Sequence, residues 1–382
     1  MKRRTALFSA AVSALPWLAP RAWAQAAAHA ETEPVQRLAT AWRVGPAKPA
    51  DSGHHVGVLE VDWPAGEVRL QAAQPVPSRA HALLAMPDGG FVAVAFRPGR
   101  WLMRCAADGA VMCQRAMDDD RPAHRSFNGH VIASASGQWL YTTETDPQSG
   151  LGWASVRDSR TLARVAQFET GGHDPHDLLL AADGSLLVAN GGIVRDAQAR
   201  KIDAQAMDPA LVQLHTASGR ALGRWQLEDR RLSLRHMAWS QGAEPLLGIG
   251  LQAEHEGAEQ RAEAPVLALW NGQALTLANR DARGAGYVGD IAAGPGGGFV
   301  LSAQKAGLGL WWHPGAPQEL AVIARVTEPC ALMPWRSAGG VRGVSISAAR
   351  GVARWHAQLA PRMLPWPVPL APDNHWVALA AA

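Results

Sequence analysis

Cysteine is scarce in this chain, at three residues in 382. Cys105 and Cys113 flank the turn Asp108-Gly109 and could face each other across a hairpin, either bridged in an oxidising compartment or as two reduced, small apolar side chains. No CxxCH occurs, which argues against covalently attached c-type haem. Beyond residue 24, no stretch approaches 18 continuous apolar residues, so no membrane span is expected there. Excess charge is missing as well. Residues 1–24 carry four basic side chains and no acid, leaving 32 basic against 33 acidic residues in the rest. Such a balance gives no reason to expect nucleic acid or an anionic membrane as a partner.

The common catalytic signatures are absent too. His255-Glu256 lacks the second histidine of a zincin helix. Gly294-Pro295-Gly296-Gly297-Gly298 is not followed by the Lys-Ser/Thr that a phosphate loop requires, and no GxSxG elbow appears. Asp118-Asp119-Asp120 does not have EF-hand spacing and reads as a solvated loop. Asn190-Gly191-Gly192 reads as a forced backbone turn after a strand.

What is present begins with a leader. Lys2, Arg3 and Arg4 precede an apolar run from Ala6 to Leu18. Ala22-Trp23-Ala24 then supplies a small-x-small cleavage pattern, with Ala28-His29-Ala30 as a second candidate. A cleavable signal over residues 1–24 is expected, with a linker over 25–35 and a single propeller domain over 36–382. The Arg3-Arg4 pair suggests twin-arginine export and a periplasmic destination, although Lys2 and the late Phe8 depart from the usual motif, and the general secretory route is the alternative.

Long amphipathic helices are hard to find. Short apolar runs broken by Gly, Asp and Pro recur instead. Ala82 to Ala85, then Pro87-Asp88-Gly89-Gly90, then Phe91 to Ala95 is one such unit; Leu178 to Ala182, Asp183-Gly184, then Leu186 to Ala189 is another. Each reads as strand, tight turn, strand. Aligning the units on their turns places one residue before each first strand: His81, His130, His176, His236, Gly289, Cys330 and His375. Neighbours in this series stand 41 to 60 residues apart, and Asp174-Pro175-His176 matches Glu328-Pro329-Cys330. That spacing, with about four strands per unit, predicts an all-β, seven-bladed β-propeller. The strand at His375-Trp376-Val377-Ala378-Leu379 has nothing after it. Gln36 to Val44, His55 to Asp62 and Glu67 to Val76 can complete its blade and close the ring, which removes the exposed edge of an open array. Six or eight blades, or a two-sheet sandwich, are the other architectures such strands could build.

Seven blocks, in order, carry a family resemblance: Phe127-Asn128-Gly129-His130, Tyr141-Thr142-Thr143-Glu144, Pro175-His176-Asp177, Val188 to Ile193, Leu232-Ser233-Leu234-Arg235-His236, Gly286-Tyr287-Val288-Gly289 and Asp373-Asn374-His375. Across nearly the whole chain after the leader, the sequence resembles the bacterial domain of unknown function 1513 family. The resemblance implies a WD-repeat-like propeller, secreted or periplasmic, in a family with no settled activity. Its members often lie beside genes for iron or haem handling, which makes iron- or haem-handling proteins the implied partners. Family members tend to carry a Thr-His-Pro stretch where this chain has Val194-Arg195-Asp196.

The first strand of each propeller blade lines the central channel. Five of the 14 histidines fall at the blade-start position, so His81, His130, His176, His236 and His375 are expected to converge on one axial site, with Cys330 as a sixth candidate. Imidazole and thiolate ligands suit Cu, Zn or Fe. Glu144, Asp177 and Arg235 are candidate partners that would fix the ring tautomers, and Asn190 is a further candidate ligand-binding residue. A second reading is structural. In WD-type repeats a Gly-His pair such as Gly129-His130 bonds within its own blade. A third is a pocket for an anionic or small polar ligand. His54, His55, His124, His255, His313 and His356 are expected in solvated loops. The functions left open are a periplasmic metal- or haem-related accessory protein, a metal-free interaction platform, and a metal-dependent oxidoreductase or lyase; a monomer is expected.

Overall fold

The computed structural model describes residues 35–44, 53–120, 124–196, 198, 200–242, 244–278, 282–337 and 340–380. The leader expected over residues 1–24, and all but the last residue of the linker, lie outside these. Seven four-stranded antiparallel sheets make up the seven blades of a β-propeller. Blade one consists of Ala80–Ala85, Phe91–Ala95, Trp101–Cys105 and Val111–Ala116. Blade two consists of Ser126–Ala133, Trp139–Thr145, Leu151–Asp158 and Arg164–His173. Blade three consists of Pro175–Leu180, Leu186–Asn190, Ala210–Leu214 and Ala221–Trp225. Blade four begins at Leu232–Trp239, blade five at Ile291–Ala293 and blade six at Leu332–Arg336. Blade seven is the closure. Its inner strand is Leu370–Ala378, and Gln36–Val44, His54–Asp62 and Glu67–Val76 follow outward. The C-terminal strand starts at Leu370, five residues before the expected His375.

The turns explain why hairpins form where they do. At Pro87-Asp88-Gly89-Gly90, the Met86 N–H donates to the Gly90 carbonyl at 2.8 Å, Asp88 Oδ1 accepts the Gly90 N–H at 3.2 Å, and Gly89 adopts φ +82°. A left-handed residue in a two-strand turn favours glycine. Asp174 and Glu328, equivalent by sequence, both take the left-handed conformation at φ 51° and 52°, so the register of blades three and six coincides.

Packing follows from strand alternation. Phe91, Ala93 and Ala95 point into the core between blades seven and one, whereas Val92 and Val94 point into the core between blades one and two. The strand is therefore apolar on both faces and fully buried. One such core fills each of the seven blade interfaces around the ring. Outer strands such as Val111–Ala116 present alternating exposed residues to solvent. Burying an apolar side chain of this size contributes about 1.5–3 kcal/mol, so each blade depends on both neighbours.

Of the two states left open for Cys105 and Cys113, the structure has the free thiols, and burial holds Cys105 up at about 11. Several smaller expectations come out differently. Asp118 and Asp119 are solvent-exposed, in ion pairs with Arg100 and Arg115, but Asp120 is buried against Arg157. His54 and His55 lie in a strand, where His55 stacks on Trp42, and His356 is buried at the end of Gly351–His356. Among the described residues, no helix is long and apolar enough to cross a membrane.

Candidate functional site at the propeller axis

The inner strands bring all five blade-start histidines to the channel. Neighbouring ring centroids lie 4.4 to 5.8 Å apart. Four of the rings are almost wholly buried, and His375 nearly so. One ring nitrogen from each of His81, His130, His236 and His375 falls within 4.8 Å of the others. Close approach is possible because Gly129, at φ +112°, has no side chain; a Cβ there would stand 2.8 Å from Cδ2 of His81.

Three rings are oriented by carboxylates, each from a different blade. His81 Nδ1 lies 3.3 Å from Asp373, His130 Nδ1 lies 3.0 Å from Asp177, and His375 Nδ1 lies 3.4 Å from Asp290. A carboxylate accepts, so each Nδ1 carries a hydrogen and, in the neutral ring, each Nε2 is left as a lone pair. The Nε2 atoms of all three are buried with no partner. Asp177 and Asp290 are themselves fixed by backbone. Each accepts an N–H from its own strand and, at 2.8 Å, one from the next blade, at Met237 and Leu332 respectively. The same carboxylates thus stitch blades and aim imidazoles.

The other two rings form a relay. The Arg97 guanidinium, which can only donate, lies 3.1 Å from His176 Nδ1. His176 then carries its hydrogen on Nε2, which faces His236 Nε2 at 2.8 Å. His236 accepts there and keeps its hydrogen on Nδ1, a buried atom with no partner. The axis therefore presents three lone pairs and one N–H.

Burial pushes His81, His176 and His236 well below the ordinary imidazole value, reinforced by neighbouring rings and arginines, and lowers His130 despite Asp177. For His375 burial acts in the same sense, but Asp290, Asp177 and Asp373 together outweigh it and hold the ring above its ordinary value. His81 and His130 are thus favoured as neutral imidazoles with carboxylate-bound Nδ1 atoms, the form in which histidine coordinates a metal, whereas His375 has to give up a proton to offer its Nε2.

The remaining sequence candidates divide. Asp177 orients His130, as just described. Arg235 donates to Asp174 at 2.9 Å beside the cluster. Glu144 touches no imidazole; it sits inside blade two, paired with Arg157 at 2.7 Å. Asn190 is buried against Thr170, accepting from its hydroxyl at 2.8 Å and donating to its carbonyl at 2.9 Å, which fastens blade three to blade two. Cys330 stays apart from the rings. Its Sγ accepts from Gln304 at 3.2 Å, lies 3.3 Å from the Glu328 carbonyl, and burial pushes the thiol up to about 12.

Residues not singled out from the sequence complete the site. Asp290 follows Gly289 as Asp177 follows His176, so the blade alignment contained its signal. Arg79 and Arg97 carried no such mark, and Asp174 entered only as part of the repeat match to Glu328. Arg79 and Arg97 line a cavity of about 430 Å³ that opens onto His81, His176 and His236, and Asp174 pairs with Arg97. Asp174 is fully buried. Burial alone would raise its carboxyl, but Arg97, Arg235 and Arg195 pull it down to about 2. Arg195 comes from a two-stranded excursion, Val194–Arg195 with Lys201–Asp203, the block that departs from the family pattern.

Comparison with known proteins agrees with this architecture. The family model described as "Protein of unknown function (DUF1513)" matches residues 74–379. The chain belongs to that family. No curated protein matches it. Among solved structures, it is similar to the periplasmic gluconolactonase PpgL of Pseudomonas aeruginosa, at 14% identity and TM-score 0.60, covering 91% of this chain and 100% of that one. It is also similar to hydrazine synthase of Kuenenia stuttgartiensis (12%, TM-score 0.56, 83% and 93% covered) and to virginiamycin B lyase of Staphylococcus aureus (9%, TM-score 0.54, 79% and 95% covered). At these identities the likeness concerns the fold.

Proposed function

We propose that the propeller axis is a transition-metal centre, with His81, His130 and His375 as ligands through Nε2 and His236 beside the ion as a hydrogen-bond donor. The observation that carries this reading is the set of three buried, unpartnered Nε2 atoms, each on a ring whose Nδ1 is bound to a carboxylate. An unsatisfied buried polar atom costs about 1–3 kcal/mol, so three together are hard to explain by stability. The purely structural alternative has each ring bonding within its own blade; here His81, His130 and His375 all bond across blades. Imidazole ligands suit copper, zinc or iron. The protein then acts as an exported, periplasmic accessory protein of metal handling, carried by the leader over residues 1–24.

The test is metal content after folding with Cu, Zn and Fe in turn. Stoichiometric metal is expected in the wild type. His81→Ala, His130→Ala and His375→Ala should each weaken binding at least tenfold, a double variant should lose little more, and His236→Ala should weaken it less. A wild type that holds no stoichiometric metal ends this reading and leaves the interaction platform. Export is checked separately: Arg3 and Arg4 changed together to Lys should block it if the twin-arginine route is used.

A further inference from the structure

Beside the histidine cluster, three guanidinium groups converge on one carboxylate. Arg97 and Arg235 pair with Asp174, and Arg195 reaches the same side chain at 3.3 Å. Arg97 and Arg235 alone outnumber that one carboxylate. Arg79 joins the wall, held at 2.5 Å by Asp373 and lying over the Phe96 ring at 4.3 Å. All four arginines line the cavity described above, together with Phe96 and Tyr287. Its volume of about 430 Å³ is within the range of small-molecule sites and exceeds what a bare inorganic anion fills.

We infer that this vestibule binds a small organic carboxylate, with its acid group on the arginine cluster and its carbon skeleton against Phe96 and Tyr287. Planar guanidinium forks match carboxylates, and charge-assisted bonds of this type are roughly twice as strong as neutral ones. Asp174 holds the forks in place and leaves the wall electropositive. Arg97 also donates to His176, and so joins the vestibule to the axial rings. As the site of a co-ligand or reactant of the proposed metal centre, this inference rests on that reading. As an anion site it stands on other residues.

The experiment separates the two. Calorimetric titration uses the full chain, metal-free and metal-loaded, at constant ionic strength. The probes are citrate, succinate, inorganic phosphate and neutral glucose. Citrate or succinate should bind the metal-free protein, phosphate at least tenfold more weakly and glucose not at all. Arg195→Gln should weaken carboxylate binding about tenfold while leaving metal content unchanged, and Arg79→Gln, which also frees the Asp373 that orients His81, should weaken carboxylate binding about tenfold. His130→Ala should lose metal yet still bind carboxylate. Both arginine variants have partly exposed side chains, and their thermal unfolding shows whether they fold. Carboxylate binding that appears only with metal, or that survives both substitutions in folded protein, overturns the vestibule site. So does phosphate binding as tight as citrate.

Discussion

Inside blade two, Arg157 is fully buried 2.7 Å from both Asp120 and Glu144, and it donates further to the Thr142 hydroxyl and the Leu162 carbonyl, each at 3.1 Å. At the axis, five imidazoles crowd together with four ring nitrogens left bare. Both clusters are buried and polar, yet they are built differently. The first brings opposite charges together and uses them to tie a blade to its loop. The second gathers groups of one kind, spends carboxylates only on their outer nitrogens, and leaves the inner ones without a partner. Asp120 Oδ2 and Glu144 Oε2 also lack a hydrogen-bond donor, but each lies beside a guanidinium of opposite charge, whereas the bare ring nitrogens at the axis face one another, which marks a place where something else binds.

Breaking the first cluster gives the largest expected effect. Arg157→Leu leaves Asp120 and Glu144 buried without their shared cation, and should cost roughly 3–5 kcal/mol of unfolding free energy. Metal content of the protein that remains folded should not change. A variant with wild-type stability, read by chemical denaturation, would mean that blade two does not depend on the network.

The second cluster should respond to pH in a way the first does not. Burial lowers His81, His176 and His236 strongly and His130 to a lesser degree. The unfolded chain takes up protons near the ordinary value of about 6.5 that the native chain refuses. Stability from these four is therefore present above that value and is lost as pH falls through it. His375, held above its ordinary value, opposes them, since its contribution is lost as pH rises through its folded value. Four groups against one predict that metal-free protein weakens on acidification from pH 7.5 to 5.5. Metal affinity should fall over the same range, because protons compete for the same nitrogens. Flat stability across that window would show that the rings are not held neutral.

Gly129 offers a smaller and more local perturbation. Gly129→Ala places a Cβ 2.8 Å from His81 at φ +112°, a backbone conformation that costs a side chain about 1–3 kcal/mol. Because the clash falls on His81, metal binding should suffer along with stability. A loss of stability with metal affinity intact would place His81 outside the ligand set.

The blades were legible because their information is local: Asp88-Gly89, Asp183-Gly184 and the strands around them repeat, and aligning the turns found His81 to His375 without any contact data. The closure was legible because His375-Trp376 has a strand pattern with no successors. The site's remaining half was not. Arg97 and Asp174 are 77 residues apart and meet only when blades one and three face the same channel. Glu144 was misplaced for a related reason. Sequence position puts it near an inner strand but does not say on which side of its sheet the carboxylate lies, and Arg157 on the neighbouring strand decides that.

The smallest effects come from histidines outside the axis, and they test whether burial alone is enough to make a site. His313 is in a loop, where its Nδ1 accepts the Gly315 N–H at 2.9 Å; His356 is buried, accepts the Gln358 N–H at 3.0 Å and packs near Trp335. Neither ring converges with another histidine through an unpartnered nitrogen. His313→Ala should change stability by less than about 0.5 kcal/mol, as surface substitutions do. His356→Ala removes a buried ring and one hydrogen bond, for a cost of about 1 kcal/mol. Neither should alter metal content, since a lone satisfied imidazole offers no second ligand. Elemental analysis of the two variants beside His130→Ala makes the comparison: loss of metal in His356→Ala would mean that any buried imidazole perturbs the protein enough to empty it, and the axial variants would then carry no special weight.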